Sequence, residues 1–548
     1  MPARASSRVA SGIGRASALL ASGTIVSRIL GFVKLWVLAQ VIGLFGQSTN
    51  AFALANQLPN TIYVIIAGGV LSAVLVPQIV RSALHADGGS GYINKLLTLA
   101  LVILGVSTVA ATLLAPLIVP IWGPKLDPDT MALAIAFAYW CLPQIFFYGL
   151  YTVLGEVLNA RKVFGPFTWA PVVNNVVAIA GLLFFAAQFG ADPSGGMRVA
   201  SDFTPAMIAV LAGTATLGVA MQALILFVSW RRIGLRYRPD FRWRGVGLGA
   251  AGRMASWTFG MLLLTTIAGI VESQVVTQAA GSDDAPSIQV LNTAWLIFML
   301  PHSVITVSIA TAYFTRMSEH AAIDDLDKVR DDASSAMRGT TLLIVLATAV
   351  LIICAYPFAA VFVDSPVQIQ GTGNVIIAYA LGLVAFCILF VLQRTFYALG
   401  DTRTPFFFTL FQVSLVIAGV LSIAGVPLEW LAPAVALIVT VAGIAQTVLA
   451  AVLLRHKLGR IDGLRVLASQ LRYAVAVIPA AALGYAVLML LGGVDEGGFA
   501  VADKWSAMIS MAIIGTVMAL TYVGVLALLR TPELKVVLDP FVARIRRR

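Results

Sequence analysis

Residues 17–45 read SALLASGTIVSRILGFVKLWVLAQVIGLF, an apolar stretch with two cations inside it, Arg28 and Lys34. An α-helix needs about 20 apolar residues to cross a bilayer. This run is long enough, so the spacing predicts a membrane-spanning helix. If it starts near Ser17, a rise of 1.5 Å per residue puts Arg28 roughly 17 Å and Lys34 roughly 26 Å along it. Snorkelling from a later start would account for Arg28 but not for Lys34. Charges at that depth are costly and mark functional sites. The six-residue separation turns them about 120° apart, so one cavity holds both only if it is wide or the helix bends at Gly31. A cationic interior points to a negatively charged cargo.

The same rhythm of long apolar run and short loop continues to the end of the chain. It predicts spans at 17–45, 50–79, 94–121, 130–158, 165–189, 204–230, 255–280, 289–314, 339–363, 373–399, 405–425, 431–454, 470–492 and 505–529. The chain is 59% hydrophobic and 11% charged, and its mean hydropathy is +0.93. Soluble domains carry about 25% charged residues. The fold class expected is therefore an all-α polytopic membrane protein of about 14 transmembrane helices. No polar segment is long enough for a separate soluble domain. Arg4, Arg8 and Arg15 before the first run resemble a signal peptide, but the run is too long and more spans follow, so it is read as an uncleaved helix. Cys141, Cys354 and Cys387 lie in apolar runs without a CxxC pair and read as packing residues. The four histidines have no metal-ligand spacing.

Loop charges alternate along the chain. One set carries Arg161 and Lys162, then Arg231, Arg232, Arg236, Arg238, Arg242 and Arg244, then Arg316, Lys328 and Arg330, then Arg455, Lys457, Arg460 and Arg465. The other carries Lys125, Asp127 and Asp129, Asp283 and Asp284, Asp364, Glu429, Asp495 and Glu496. The positive-inside rule places the first set, and both termini, in the cytoplasm. The net charge of +11 then reflects topology and calls for no nucleic-acid partner. Tyr237, Phe241 and Trp243, interleaved with the arginines of 231–244, and the tail Arg546, Arg547 and Arg548, also suit anionic membrane lipids.

Two motifs recur at nearly one offset. Leu58-Pro59-Asn60 in span 2 matches Leu300-Pro301-His302 in span 8, 242 residues later. Val153-Leu154-Gly155-Glu156 before span 5 matches Val391-Leu392-Gln393-Arg394 before span 11, 238 residues later. Parallel repeats with a substrate site between them are a transporter signature. The organisation expected is a cytoplasmic segment 1–16, an N-lobe 17–230 of six spans, a basic linker 231–254, a C-lobe 255–454 of six spans, a final pair of spans in 455–530, and a basic tail 531–548.

Other polar groups sit inside the spans. Glu272 in span 7 is the remaining deep charge, read as a counter-ion for Lys34 or as a coupling-ion site. Asn50, Asn56, Gln57 and Asn60 fall in span 2, Gln274 and Gln278 in span 7, Asn292 and His302 in span 8. Such amides glue helices together as often as they bind cargo. Their concentration in spans 2, 7 and 8 makes Arg28, Lys34, Asn56, Asn60, Glu272, Gln274, Gln278, Asn292 and His302 the candidate substrate-binding set. Asn174 and Asn175 read as packing. There is no P-loop, GxSxG or HExxH motif. The chain is expected not to be an enzyme or to need a cofactor, and its energy would come from H+ or Na+ or from the membrane potential.

Ser27-Arg28-Ile29-Leu30-Gly31-Phe32-Val33-Lys34 resembles the opening motif of the MurJ (MviN) family, the lipid II flippases of bacterial cell-wall synthesis. Asn56 through Asn60 resembles the family's second-helix motif. Pro301 through Ser318 and Arg394 through Pro405 resemble two more, and the Leu-Pro-His form is similar to actinobacterial members. The resemblance implies a MOP-superfamily (MATE-like) fold, a central cavity between two six-helix lobes, and a lipid-tail groove at spans 13 and 14. It implies a plasma-membrane flippase that moves undecaprenyl-diphosphate-linked precursor to the outer leaflet by alternating access. Arg28 and Lys34 would meet the diphosphate, and cell-wall synthesis proteins are expected partners. Many relatives carry Arg and Glu after Leu-Pro-Asn in span 2 and Arg before the span 8 proline. Here Tyr63, Val64, Gly68 and Leu296 stand there, so the cavity is less cationic. The rival readings are a flippase for another polyprenyl-linked glycan, a MATE-like ion-coupled drug exporter, which wants acidic cavity residues, and a non-transporting scaffold, which has no use for buried charge.

Overall fold

The computed structural model describes residues 3–67, 90–161, 163, 165–232, 237–242, 252–423, 425–495 and 497–534. Gly68, Gly69 and the rest of the second expected span, His85, Lys162, Arg236, Trp243, Arg244, Glu496 and the tail arginines lie outside the described residues. Hydrocarbon offers no hydrogen bonds to a backbone, so each apolar run closes its own as a helix. Among the described residues there is no strand.

The chain forms two compact units, Met1–Thr266 and Ile267–Arg548. The first holds α1 (Ala3–Ile42), α2 (Gln47–Ile66), α3 (Ser90–Leu113), α4 (Ala115–Trp122), α5 (Pro128–Cys141), α6 (Gln144–Ala160), α7 (Gly165–Phe189), α8 (Pro205–Leu224) and α9 (Leu226–Arg232). The division falls inside α10 (Gly252–Val276). The second unit continues with α11 (Ile288–Pro301), α12 (Val307–Ala322), α13 (Leu326–Ile353), α14 (Ala355–Ala360), α15 (Pro366–Ala380), α16 (Leu383–Ala398), α17 (Arg403–Ser422), α18 (Leu428–Leu458), α19 (Gly463–Leu490) and α20 (Lys504–Leu528).

Among the described residues, 13 stretches are long and apolar enough to cross a membrane, and they fall on expected spans 1 and 3 to 14. Span 2 is α2. Only this first part of the span is described, and its amides (Asn50, Asn56, Gln57, Asn60) keep it from counting by hydropathy. Two features differ from the expected spans. Several are broken helices: span 4 is interrupted at Leu142 and Pro143, and span 10 at Leu381 and Gly382. Span 9 starts earlier than its apolar run, because the polar turns Leu326 through Arg338 continue the same helix.

The breaks recur. Pro128 opens α5 and Pro366, 238 residues later, opens α15; α6 ends at Ala160 and α16 at Ala398, the same distance on. Leu114, between α3 and α4, has its counterpart in Cys354 between α13 and α14. The repeat visible in two motifs is thus a repeat of whole elements, kinks included.

Packing in the first unit relies on small residues. A Cβ on Gly181 would lie 2.2 Å from Thr214 Oγ1, so α7 and α8 approach closely only because it is glycine. In the second unit, α19 and α20 are fastened to α13. Tyr522 donates to Leu342 O at 2.8 Å and Gln470 Nε2 to Thr341 Oγ1 at 2.8 Å. Arg338 pairs with Glu533 at 2.6 Å, the side chains 9% and 11% exposed.

Asp401, in the turn between α16 and α17, accepts from Thr404 N at 2.9 Å, Thr404 Oγ1 at 2.7 Å and Lys457 Nζ at 2.6 Å. Gly400 (φ 72°) takes the left-handed turn that ends α16. Partial burial pushes the Asp401 carboxyl up, but the bonds from Lys457 and Thr404 outweigh it and hold it below the usual carboxylate range.

Two stability predictions follow from these anchors. Arg338→Met strands the buried Glu533 carboxylate and is expected to cost about 3–5 kcal/mol, while Arg338→Met with Glu533→Leu recovers most of it. Melting temperatures of the detergent-solubilised variants check this, and equal losses in single and double variants contradict it. Asp401 has a depressed folded-state pKa, so its contribution is present above about pH 4 and fades as pH falls through the folded value. Asp401→Asn is expected to lower stability by about 1–2 kcal/mol at neutral pH and to flatten that acid-side dependence, read from melts at pH 3 to 7.

Candidate functional site

α1 carries the two cations. Both Arg28 and Lys34 are half-buried, and among the described residues neither has a hydrogen-bond or ion-pair partner. α1 is packed along α7, where Asn175 Nδ2 donates to Ser27 O at 2.9 Å. Asn175 therefore steadies the backbone one residue before Arg28. A half-buried cation without a counter-charge is an open electrostatic site for an anion.

The amides of α2 divide into two kinds. Asn56 is tied into the first unit: its Oδ1 accepts from Gln144 Nε2 at 3.2 Å and lies 3.9 Å from Cys141 Sγ. Gln144 is 1% exposed and also donates to Thr216 Oγ1 at 3.0 Å, and Thr216 donates to Trp140 O at 2.6 Å. Asn60 is exposed and, among the described residues, has no partner. Gln57 keeps a buried Oε1 with nothing donating to it. One turn further, the Tyr63 hydroxyl meets Thr152 Oγ1 at 2.5 Å. Gln144, Tyr148 and Thr152 were not singled out by the sequence reading. Their spacing of four puts them on one helix face, which is a signal in hindsight, but only the packing of α6 on α2 shows what that face meets.

In the second unit, Glu272 is half-buried on α10 and makes no hydrogen bond or ion pair among the described residues. Gln274, Gln278 and Asn292 are half-buried. His302 is enclosed, 3% exposed, with Cys387 Sγ 3.5 Å from its Nδ1 and the rings of Phe386 and Phe390 at 4.8 and 5.0 Å. It begins a π-helical turn, His302–Thr306, directly after Pro301, so span 8 changes winding at its motif. Trp295, 37% exposed, stacks on Phe298 at 5.0 Å and meets Tyr379 edge-on at 5.4 Å, forming an aromatic wall that leads to His302 through Phe386. Arg394, in the motif ending at Pro405, lies over Phe390 at 4.9 Å and Phe314 at 5.5 Å. No group of three or more His, Cys, Asp or Glu suited to a metal ion occurs among the described residues.

Comparison with known proteins bears on what these two units do. The family model described as "Lipid II flippase MurJ" matches residues 38–514. The match starts after Arg28 and Lys34. A probable lipid II flippase MurJ of Rickettsia prowazekii (strain Madrid E) is 27% identical over 418 residues, 73% of this chain and 76% of that protein. Another, of Borreliella burgdorferi, is 22% identical over 73% of this chain and 77% of its own length. Among solved structures, a lipid II flippase MurJ in an inward closed conformation superposes with a TM-score of 0.70, at 19% identity, over 96% of this chain and 99% of that one. An inward-facing MATE-family multidrug transporter of the MOP superfamily gives 0.62 at 16% identity, over 79% and 96%. Those two likenesses show the fold. With the family match running through nearly all of both units, the chain belongs to the MurJ family of lipid II flippases.

Proposed function

We propose that this chain carries the headgroup of lipid II from the inner to the outer leaflet of the bacterial cytoplasmic membrane by alternating access. Both termini then face the cytoplasm, as the loop charges favour. The observation that carries the mechanism is the pair of cations on α1 that have no counter-charge among the described residues. A unit charge 4 Å from an opposite one gains about 4 kcal/mol at an effective dielectric of 20, against about 1 in water. Arg28 and Lys34 are thus suited to draw a diphosphate away from the aqueous headgroup layer. Asn60, Gln278 and Asn292 offer amide groups to sugar hydroxyls and peptide bonds, while Asn56 fixes α2 against α6. His302 supports the aromatic wall from behind. The polyprenyl tail stays in lipid beside α19 and α20, whose outward faces are apolar at Leu467, Leu471, Val475 and Ile478 of α19 and at Ile509, Ile513 and Leu520 of α20. The basic linker, with Arg238 and Arg242, meets anionic headgroups at the membrane surface.

Depleting the protein in its host is expected to trap lipid II in the cytoplasmic leaflet. Wild type restores the outer pool, and Arg28→Ala with Lys34→Ala does not, its flipping rate falling at least about tenfold, or about 1.4 kcal/mol. Normal growth and leaflet distribution with the double variant would sink the mechanism. Glu272 serves the cargo or a coupling ion. A slower Glu272→Gln variant that keeps its ion dependence assigns it to the cargo, and one that loses that dependence assigns it to the ion.

A further inference from the structure

α2 and α6 meet along two polar stripes. Asn56 and Tyr63 lie two turns apart on one helix, and Gln144, Tyr148, Thr152 and Glu156 follow at intervals of four on the other. Gln144 Nε2 donates to Asn56 Oδ1 at 3.2 Å, forming the upper rung. Tyr63 and Thr152 share a hydrogen bond of 2.5 Å, forming the lower one. Tyr148 stands between them, its hydroxyl donating to Gln144 Oε1 at 3.3 Å and its ring 5.7 Å from that of Tyr63. Every member of the ladder so far has a partner.

Glu156, the next residue on the stripe, does not. It is half-buried inside a membrane-length helix pair, and among the described residues it has no hydrogen bond or ion pair. Its neighbours Val153, Leu154, Val157 and Leu158 are all at most 3% exposed. The titratable or charged groups on the elements packed against α6 are Tyr63 on α2, Lys95 on α3, and Arg231 and Arg232 on α9, with Arg161 capping α6 itself; the side chain of Tyr92 lies outside the described residues, and α7 and α8 carry none. On α6 itself, Tyr151 is bonded to Phe167 O at 3.0 Å. Tyr237, Arg238, Asp240 and Arg242 belong to the segment docked on α3 through Asn94 and Thr98. Among the described residues no ion pair joins any of these groups to Glu156, while Tyr63 is bonded to Thr152, one turn before Glu156 on the same face of α6. The equivalent position of the second unit, 238 residues on, is Arg394, whose charge rests on two aromatic faces. Glu156 has no such accommodation.

We propose that Glu156 is a coupling-proton site of the first unit and that Tyr63 reads its state. The carboxylate takes a proton from water at the near end of α6, about 6 Å away along the helix axis, and returns it to water; no other bond changes. Protonated, Glu156 leaves the Tyr63 hydroxyl on Thr152 and the lower rung closed. Ionised, it competes for that hydroxyl and opens the rung, freeing the inner end of α2 to shift. Only the link from this switch to lipid movement rests on the flippase reading.

The test uses purified full-length protein in vesicles. Carbodiimide, which modifies protonated carboxyls, is expected to label Glu156 progressively less as pH rises, with the midpoint displaced in Tyr63→Phe; mass spectrometry locates the adduct. In the same vesicles, wild-type flipping of a fluorescent lipid II changes several-fold with an imposed pH gradient. Glu156→Gln flips at a rate indifferent to the gradient, and Glu156→Asp, which keeps the carboxyl, retains part of the response. Glu156→Gln responding like wild type, labelling that ignores pH, or labelling blocked by Na+ at constant pH each overturn the assignment. If the wild type moves no lipid II, the flippase reading fails, and the labelling series still judges Glu156 by itself.

Discussion

A backbone amide inside hydrocarbon has no water to bond, and everything in this molecule answers to that constraint. Each crossing must be a helix, and each break must be covered. The breaks are placed alike in both units, between α3 and α4 or α13 and α14, and between α5 and α6 or α15 and α16. Prolines stand at or next to several of them, as expected where a missing N–H makes a full hydrogen-bond ladder impossible.

The same constraint sorts the side chains. Most polar groups within the helices find partners: Gln144 with Asn56 and Thr216, Asn174 with Gln222, Gln470 with Thr341, Arg338 with Glu533. These bonds hold helices together and explain why amides recur in apolar runs. Against that background the groups without partners stand out. Arg28, Lys34, Glu156 and Glu272 are ionisable groups in membrane-length helices and have no hydrogen bond or ion pair among the described residues. Such an arrangement costs stability, which is acceptable where a ligand or an ion completes it during the working cycle.

The two units share element order but not chemistry. Pro59 lies within a continuous α2, whereas Pro301 precedes a π turn and a buried histidine. Glu156 ends a ladder of hydroxyls and amides, whereas Arg394 sits on Phe314 and Phe390. One unit therefore presents cations and a polar seam, the other an aromatic wall and, in Glu272, a carboxyl without a partner among the described residues. A transporter whose halves must respond differently to one cargo gains from such a division.

Hydropathy alone marked 13 of the crossings among the described residues, because burying an apolar run of about 20 residues in lipid needs no tertiary partner. The cost of a deep charge is likewise local, so Arg28, Lys34 and Glu272 were legible as special from their positions in the chain. Partnership is not local. Asn56 and Asn60 look alike in sequence, yet one is bonded to Gln144 and the other has no partner among the described residues. His302 reads as a polar group in a motif, yet it is enclosed by the rings of Phe386 and Phe390, 84 and 88 residues away. Tyr63, Thr152 and Glu156 form a seam only because α2 and α6 pack side by side. Whether a polar side chain is glue or site depends on what lies within 3 Å of it, and only the tertiary structure decides that.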